Sequence, residues 1–246
     1  MTDVLPRVEW GASARSLLAD AVNLEPGKPA MIHIRHTERP GVTGPNSNTL
    51  LSTPKGRAAA IEFGEGLPVD RSYRLFHTVV DRSRETAESI GEGIKRRGGR
   101  AEVAGVFPFR TSFDPQAMDD YIDRVIRRCG DEDVAVAEMM NRWLAGLSPP
   151  RVFRPSAEFA RMIAEYTLAR LGTAAPDALD VYVTHDTWVG CTLFHWFGLP
   201  MPLDGVRFLD GVRFLDGFLL QPLEDEMAVW FRGKAMRVDY PHWWES

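Results

Sequence analysis

PAMIHIRH, residues 29–36, is an apolar run that ends on two polar side chains. It reads as a short buried strand, Pro29 to His36, that hands over to a loop at Thr37-Glu38-Arg39-Pro40. Ser52-Thr53-Pro54 then opens an amphipathic helix: Thr53 suits the cap, Pro54 the first turn, and Ala58, Ala59, Ile61 and Phe63 follow. Gly64, Gly66 and Pro68 end it. Tyr73 to Val80 (YRLFHTVV) is the next strand, and Arg82 to Arg97 the next helix, stopped by Gly98-Gly99. Strand, helix, strand, helix is the rhythm of an α/β sheet.

From Asp114 to Leu171 the pattern is helical throughout, in three segments broken at Gly130 and at Ser148-Pro149-Pro150. So long a helical run between strands predicts a cap folded over the sheet. Leu179 to Thr184 restarts the sheet, a helix from about Thr187 to Phe197 follows, and two antiparallel strands are expected near Phe214–Gln221 and Met227–Arg232. The expected architecture is a three-layer α/β sandwich with a mostly parallel sheet flanked by helices. Residues 1–246 form one domain, with a helical cap insertion at about 107–156. One oddity is DGVRFL, present in tandem at Asp204–Leu209 and Asp210–Leu215 and begun again at Asp216-Gly217. A six-residue period preserves which side chains face the core when pairing slides by one copy. One copy is therefore expected to pair in the sheet and the other to loop out.

Composition is that of an ordinary globular chain: 44% hydrophobic, 26% charged, net charge −5. Mild acidity and the lack of a basic stripe argue against nucleic acid as partner, so any anion site must be a local arginine cluster. Cys129 and Cys191 are too few for a disulfide scaffold and form no CxxC pair, so both are expected as buried free thiols. MTDVLPRVEW has no signal-peptide core, and no stretch has the apolar length of a membrane helix, so the cytoplasm is the expected address, with no membrane partner.

Three segments carry polar residues at strand ends. Ile34-Arg35-His36-Thr37-Glu38-Arg39 flanks one histidine with two arginines; the alternative is a solvated surface loop. Arg82 falls at a helix start, where free N–H groups and the helix dipole favour an anion; the alternative is an exposed arginine paired with Asp81 or Glu85. Thr184-His185-Asp186-Thr187 follows a third strand; the alternative is Asp186 as a simple helix cap. In open α/β sheets ligands bind beyond the carboxyl ends of strands, and together the three segments read as one phosphate pocket. Arginine forks match phosphate oxygens. A neutral imidazole attacks phosphorus, neighbouring cations favour the neutral form, and a carboxylic acid protonates the leaving oxygen. No cluster has metal-ligand spacing, and no cofactor is expected.

These motifs resemble the histidine phosphatase superfamily, which contains the phosphoglycerate mutases and histidine acid phosphatases. Arg35-His36 resembles its Arg-His-Gly signature, and Arg39 the further arginine of the acid-phosphatase branch. Asp81-Arg82 with Thr86-Ala87 is similar to the segment carrying the next phosphate-binding arginine. Thr184–Thr187 resembles the second-histidine segment, and Leu51–Gly56 the opening of the first helix. The matches run in family order from Met31 to about Gly217. The resemblance implies that His36 is phosphorylated and then hydrolysed. It implies that Arg35, Arg39, Arg82 and His185 hold phosphoryl oxygens, that Asp186 donates the proton, and that Glu38 is a weaker alternative donor. The glutamate donor of the other branch has no recognisable setting here. Thr37 departs from the pattern, standing where the family has glycine, and bears on efficiency more than on fold.

The function this implies is a metal-independent phosphatase acting on a small phosphorylated metabolite. A phosphomutase is the runner-up, since it shares the phosphohistidine. A non-catalytic phosphate-binding protein is a third reading that rests on Thr37. Specificity is expected from the cap and from Gly41–Leu50. His33 is expected in the core or just behind the site, His77 more in the strand than at the rim, and His195 in packing. Arg84 should face away from Arg82. The His242-Trp243-Trp244 end is expected to pack as a tail, with a homodimer contact as the alternative.

Overall fold

A computed structural model describes residues 3–41, 49–199, 203–204, 207–208 and 211–241. Strand β1, Ala30–Arg35, has every residue buried except the last. It lies between parallel β4 (Ala178–Thr184) and antiparallel β7 (Gly217–Pro222), which explains its apolar content on both faces. With β2 (Ser72–Thr78), β3 (Arg100–Phe107), β8 (Glu226–Phe231) and β9 (Lys234–Asp239) it forms a seven-stranded sheet in the order β3-β2-β4-β1-β7-β8-β9. β3, β2, β4 and β1 run parallel, and β7, β8 and β9 continue as an antiparallel meander.

Helices cover both faces, as a parallel sheet requires. On one side α1 (Gly11–Ala21), α2 (Pro54–Gly66) and α3 (Asp81–Arg96) pack with Ile32, Ile34, Leu75 and Val181. On the other, α6 (Ser156–Gly172) and α7 (Asp186–Phe197) bury Phe159, Ile163, Val189 and Trp196 against Met31, Tyr182 and Phe218. α2 and α3 touch backbone to backbone: a Cβ on Gly64 would stand 2.1 Å from the Ile90 carbonyl oxygen, and one on Gly93 would stand 2.0 Å from that of Ile61. That contact seats the start of α3 beside the end of β1. No helix among the described residues is long and apolar enough to cross a membrane.

The local chemistry of the chain is visible in these elements. The Thr53 hydroxyl accepts from the Gly56 N–H and caps α2, with Pro54 in the first turn. The helical run resolves into α4 (Pro115–Cys129), α5 (Glu132–Leu144) and α6, and Gly130 ends α4 in the left-handed region at φ 71°. α4 and α5 stand between β3 and α6. Among the α-helices and the strands of the large sheet, α1, β3 and β9 were not expected from the sequence. α1 and β9 lie outside the periodic stretches, and β3 is an edge strand whose RAEVAGVF mixes charge with small residues. Cys191 is buried, whereas Cys129 is only partly so.

The duplicated segment departs from expectation. Among the described residues neither copy joins the large sheet. The first supplies Asp204 and Arg207-Phe208 to a small hairpin, β5 (Leu203–Asp204) with β6 (Arg207–Phe208). The second runs through Val212 and Phe214 as irregular chain, and Leu215 at φ 52° breaks strand geometry just before β7 begins at Gly217. Most of the Gly41–Leu50 loop and the His242-Trp243-Trp244 end lie outside the described residues.

Candidate active site

β1 and β4 pair in register, with Arg35 opposite Thr184. His36 and His185 therefore stand one residue beyond two adjacent strand ends, their ring centroids 5.5 Å apart. β2 ends beside β4, and the turn Val79-Val80 leads into α3, whose second residue is Arg82. The three segments thus meet at one edge of the sheet, as their polar endings predicted.

His36 is buried, at 2% exposure. Its Nδ1 lies 2.7 Å from the Thr37 carbonyl oxygen, and the Arg82 Nε–H donates to its Nε2 at 2.9 Å. These partners assign the tautomer: Nδ1 carries the proton and Nε2 presents its lone pair. Burial, then the positive charges of Arg35 and Arg82, hold the imidazole pKa well below the usual histidine value. The ring is neutral at physiological pH, the form a nucleophile needs.

Burial, then the nearby arginines, bring the Arg82 guanidinium down to about 10. It remains a cation at neutral pH. Arg35 donates from Nη1 to the Val212 carbonyl at 2.6 Å and forms an ion pair through Nη2 with Asp186 Oδ2 at 3.0 Å. Its guanidinium also lies 4.4 Å from the Phe214 ring centroid. His185 Nε2 lies 3.0 Å from the Thr78 hydroxyl oxygen, and burial followed by Arg82 brings its pKa down to about 3.

Asp186 is the first residue of α7, not the cap before it, and its Oδ1 accepts from the Thr187 N–H at 2.7 Å. Burial raises its carboxyl pKa, but Arg35 and the Thr187 N–H outweigh that and leave it below the usual aspartate value. Arg35, His36, Arg39, Arg82, His185 and Asp186 all line one cavity of about 460 Å³.

Glu38 does not line that cavity. Its carboxylate accepts from the Thr53 hydroxyl at 2.7 Å and from Trp10 Nε1 at 3.4 Å, and it pairs with Lys55 at 2.7 Å. Burial raises it, but Lys55 and Thr53 prevail and keep its pKa below the usual glutamate value. Its place is at the head of α2. His33 lies in the core, stacked between Tyr182 and Phe218. His77 is turned to the Thr78 carbonyl, His195 meets the Ser156 hydroxyl, and Arg84 pairs with Asp81 and Glu88. Thr78, Val212 and Phe214 were missed: Thr78 looks like an ordinary strand residue, and the other two belong to a repeat with no chemical signature.

Thr37 fits where it stands. It is fully buried, its hydroxyl donates to the Gly56 carbonyl at 2.7 Å, and its N–H donates to the Thr86 hydroxyl at 3.1 Å. It is not among the residues with positive φ. The close approach falls on Gly56 instead, where a Cβ would stand 2.6 Å from the Glu38 carbonyl oxygen.

No family model matches the chain, and no curated protein matches it in sequence. Solved structures do match in fold. A phosphoglycerate mutase from Bacillus anthracis superposes with a TM-score of 0.53 at 14% identity, over 86% of this chain and 91% of that one. A mycobacterial glucosyl-3-phosphoglycerate phosphatase gives 0.49 at 15% identity, over 86% and 97%. A phosphoserine phosphatase from Entamoeba histolytica gives 0.44 at 11%, over 87% and 96%. With its seven-stranded sheet between two helical layers, this chain shares the fold of that phosphoglycerate mutase.

Proposed function

We propose that the protein is a metal-independent phosphomonoester hydrolase that works through a phosphohistidine at His36. The observation that carries this is the state of His36. Its ring is buried and neutral, with Nδ1–H anchored on the Thr37 carbonyl and the Nε2 lone pair held by the Arg82 Nε–H, in a residue that lines a cavity edged by arginines.

In the first step Nε2 forms a bond to phosphorus as the ester P–O bond breaks, and the proton of the Asp186 carboxyl goes to the leaving oxygen. In the second, water attacks phosphorus, its proton returns to the Asp186 carboxylate, the N–P bond breaks and phosphate departs. Arg82, now bonded to Nε2, turns its donors to phosphoryl oxygens, which Arg35, Arg39 and His185 share. An incoming phosphate dianion competes for Arg35 and adds like charge beside Asp186. Both raise the Asp186 pKa towards that of an acid. α4 and α5 act as the cap over this chemistry. A sensor that binds phosphate without turnover has no support from Thr37, which is accommodated without strain.

The test is release of p-nitrophenol from p-nitrophenyl phosphate with EDTA present, for the native protein and for His36→Ala. The native protein is expected to turn over and to yield acid-labile, base-stable phosphate on quenching. His36→Ala should lose at least a thousandfold. An inactive native protein, or EDTA-sensitive turnover, rejects the proposal. Free phosphate as the product, with no phosphoryl transfer to added alcohol or hydroxy acid, separates hydrolase from mutase.

A further inference from the structure

The geometry points to a substrate whose phosphate is carried by an apolar organic group, an alkyl or isoprenoid-like chain, and not by a sugar or a hydroxy acid. This deepens the reading of the site given above and depends on its phosphate end.

The cavity is chemically two-sided. At the sheet edge lie the arginines and histidines described above. The wall opposite is made by α4, α5, the segment after β3 and the segment between α5 and α6, and Met118, Ile122, Met139, Met140, Trp143 and Phe153 line the same space. Trp143 and Met140 are at 5% and 3% exposure, and Trp143 spends its N–H on the Arg154 carbonyl at 2.6 Å. Its indole therefore offers only an apolar face. Three methionines in one wall suit an unbranched, flexible chain, because thioether side chains adapt to irregular apolar shapes.

The charges in the lining point the same way. A phosphorylated hydroxy acid needs a second cation inside the cavity for its carboxylate. Beyond the phosphate end, the charged lining residues among the described residues are Asp81, Arg110 and Asp119. Arg110 and Asp81 are solvent-exposed. Asp119 sits on the apolar wall with Asp120 and Asp123 nearby on its helix, so that wall presents negative charge to a second anion. A sugar needs several polar partners, whereas the hydroxyls on this wall among the described residues are Thr111, whose Oγ1 faces the Met118 sulfur at 3.8 Å, and the buried Ser112. An apolar chain is the ligand that releases the most water for the least polar loss.

The test is a calorimetric titration of the intact protein with methyl-, butyl- and octylphosphonate, which cannot be hydrolysed, beside 2-carboxyethylphosphonate. Affinity should rise about fourfold per methylene while the chain remains inside the cavity, so octylphosphonate should bind at least fiftyfold more tightly than methylphosphonate. 2-Carboxyethylphosphonate should bind more weakly than butylphosphonate. Ile122→Glu and Met118→Glu, both on partly exposed positions, should each cut the octyl-to-methyl ratio at least fivefold. A flat series, tighter binding of the carboxylate, or an unchanged ratio in both variants overturns the proposal, and so does failure of every phosphonate to bind. Chain-dependent binding without phosphate release from the matching alkyl phosphates would reject the catalytic reading and leave this one standing.

Discussion

Thr37 shows how one substitution in a recognisable motif is absorbed by its surroundings. A β-branched residue beside His36 departs from the glycine of the motif, but the backbone there needs no left-handed residue. The added hydroxyl is bonded to Gly56, and room for the loop comes from the missing side chain at that position. Asp186 carries a sharper prediction. In the free protein it is a carboxylate held by Arg35, and the proposed mechanism makes it an acid once phosphate arrives. Asp186→Asn should slow hydrolysis of ethyl phosphate about a hundredfold or more, because an alkoxide needs the proton. It should slow p-nitrophenyl phosphate less than tenfold, because p-nitrophenolate leaves without one. Equal slowing of both would reject the role. His33 is a residue of the core, and burial alone brings its pKa from 6.5 to about 3. Its Nε2 has no hydrogen-bond partner among the described residues. Between those two values the unfolded chain binds the proton and the folded one does not, so its contribution to stability is lost as pH falls below 6.5. From pH 7 to pH 5 that loss is about 2 kcal/mol. His33→Phe, which keeps the stacking, should lose correspondingly less in urea unfolding at the two pH values. Identical losses would show that His33 does not carry the effect.

At the scale of elements, the segment before β7 has the most to explain. The second DGVRFL copy packs against the site residues without lining the cavity: the Val212 carbonyl fixes Arg35, and the Phe214 ring lies 5.9 Å from the His36 ring and 5.8 Å from Trp10. Asp216 locks its end, through an ion pair with Arg232 at 2.6 Å and a bond from the Arg35 N–H to the Asp216 carbonyl. The first copy enters only a short hairpin outside the large sheet. The two copies therefore differ in consequence though not in sequence. Deleting residues 204–209 should leave turnover of p-nitrophenyl phosphate within about threefold of the native value and Tm within a few degrees. Phe214→Ala, in contrast, should weaken Arg35 and reduce kcat/KM at least tenfold. A deletion as damaging as Phe214→Ala would mean that both copies are needed. Elements with regular periodicity and clear punctuation were legible beforehand, within one to a few residues: β1, α2, β2, α3, α4 to α6, β4 and α7. The two antiparallel strands expected near Phe214–Gln221 and Met227–Arg232 are β7 and β8, and β7 starts three residues late because Leu215 at φ 52° breaks strand geometry ahead of it.

For the molecule as a whole, the α/β class, the two helical layers and the grouping of Arg35, His36, Arg82, His185 and Asp186 were all readable from residue order. Apolar periods and turn residues act locally, and each strand carried its polar residues at the end where such sheets bind ligands. The spatial order β2-β4-β1 is not local, and it is what brings Thr78 to His185 across 107 positions and Val212 to Arg35 across 177. The same holds for the protonation of His36, which depends on burial under three separate segments, and for the apolar wall of the cavity, which depends on how α4 and α5 lie over the sheet edge. Local patterning was enough to name the elements and the residues at their tips. Which of those residues touch, and what surrounds them, followed from long-range packing, because contact energies between distant segments leave no period in the chain.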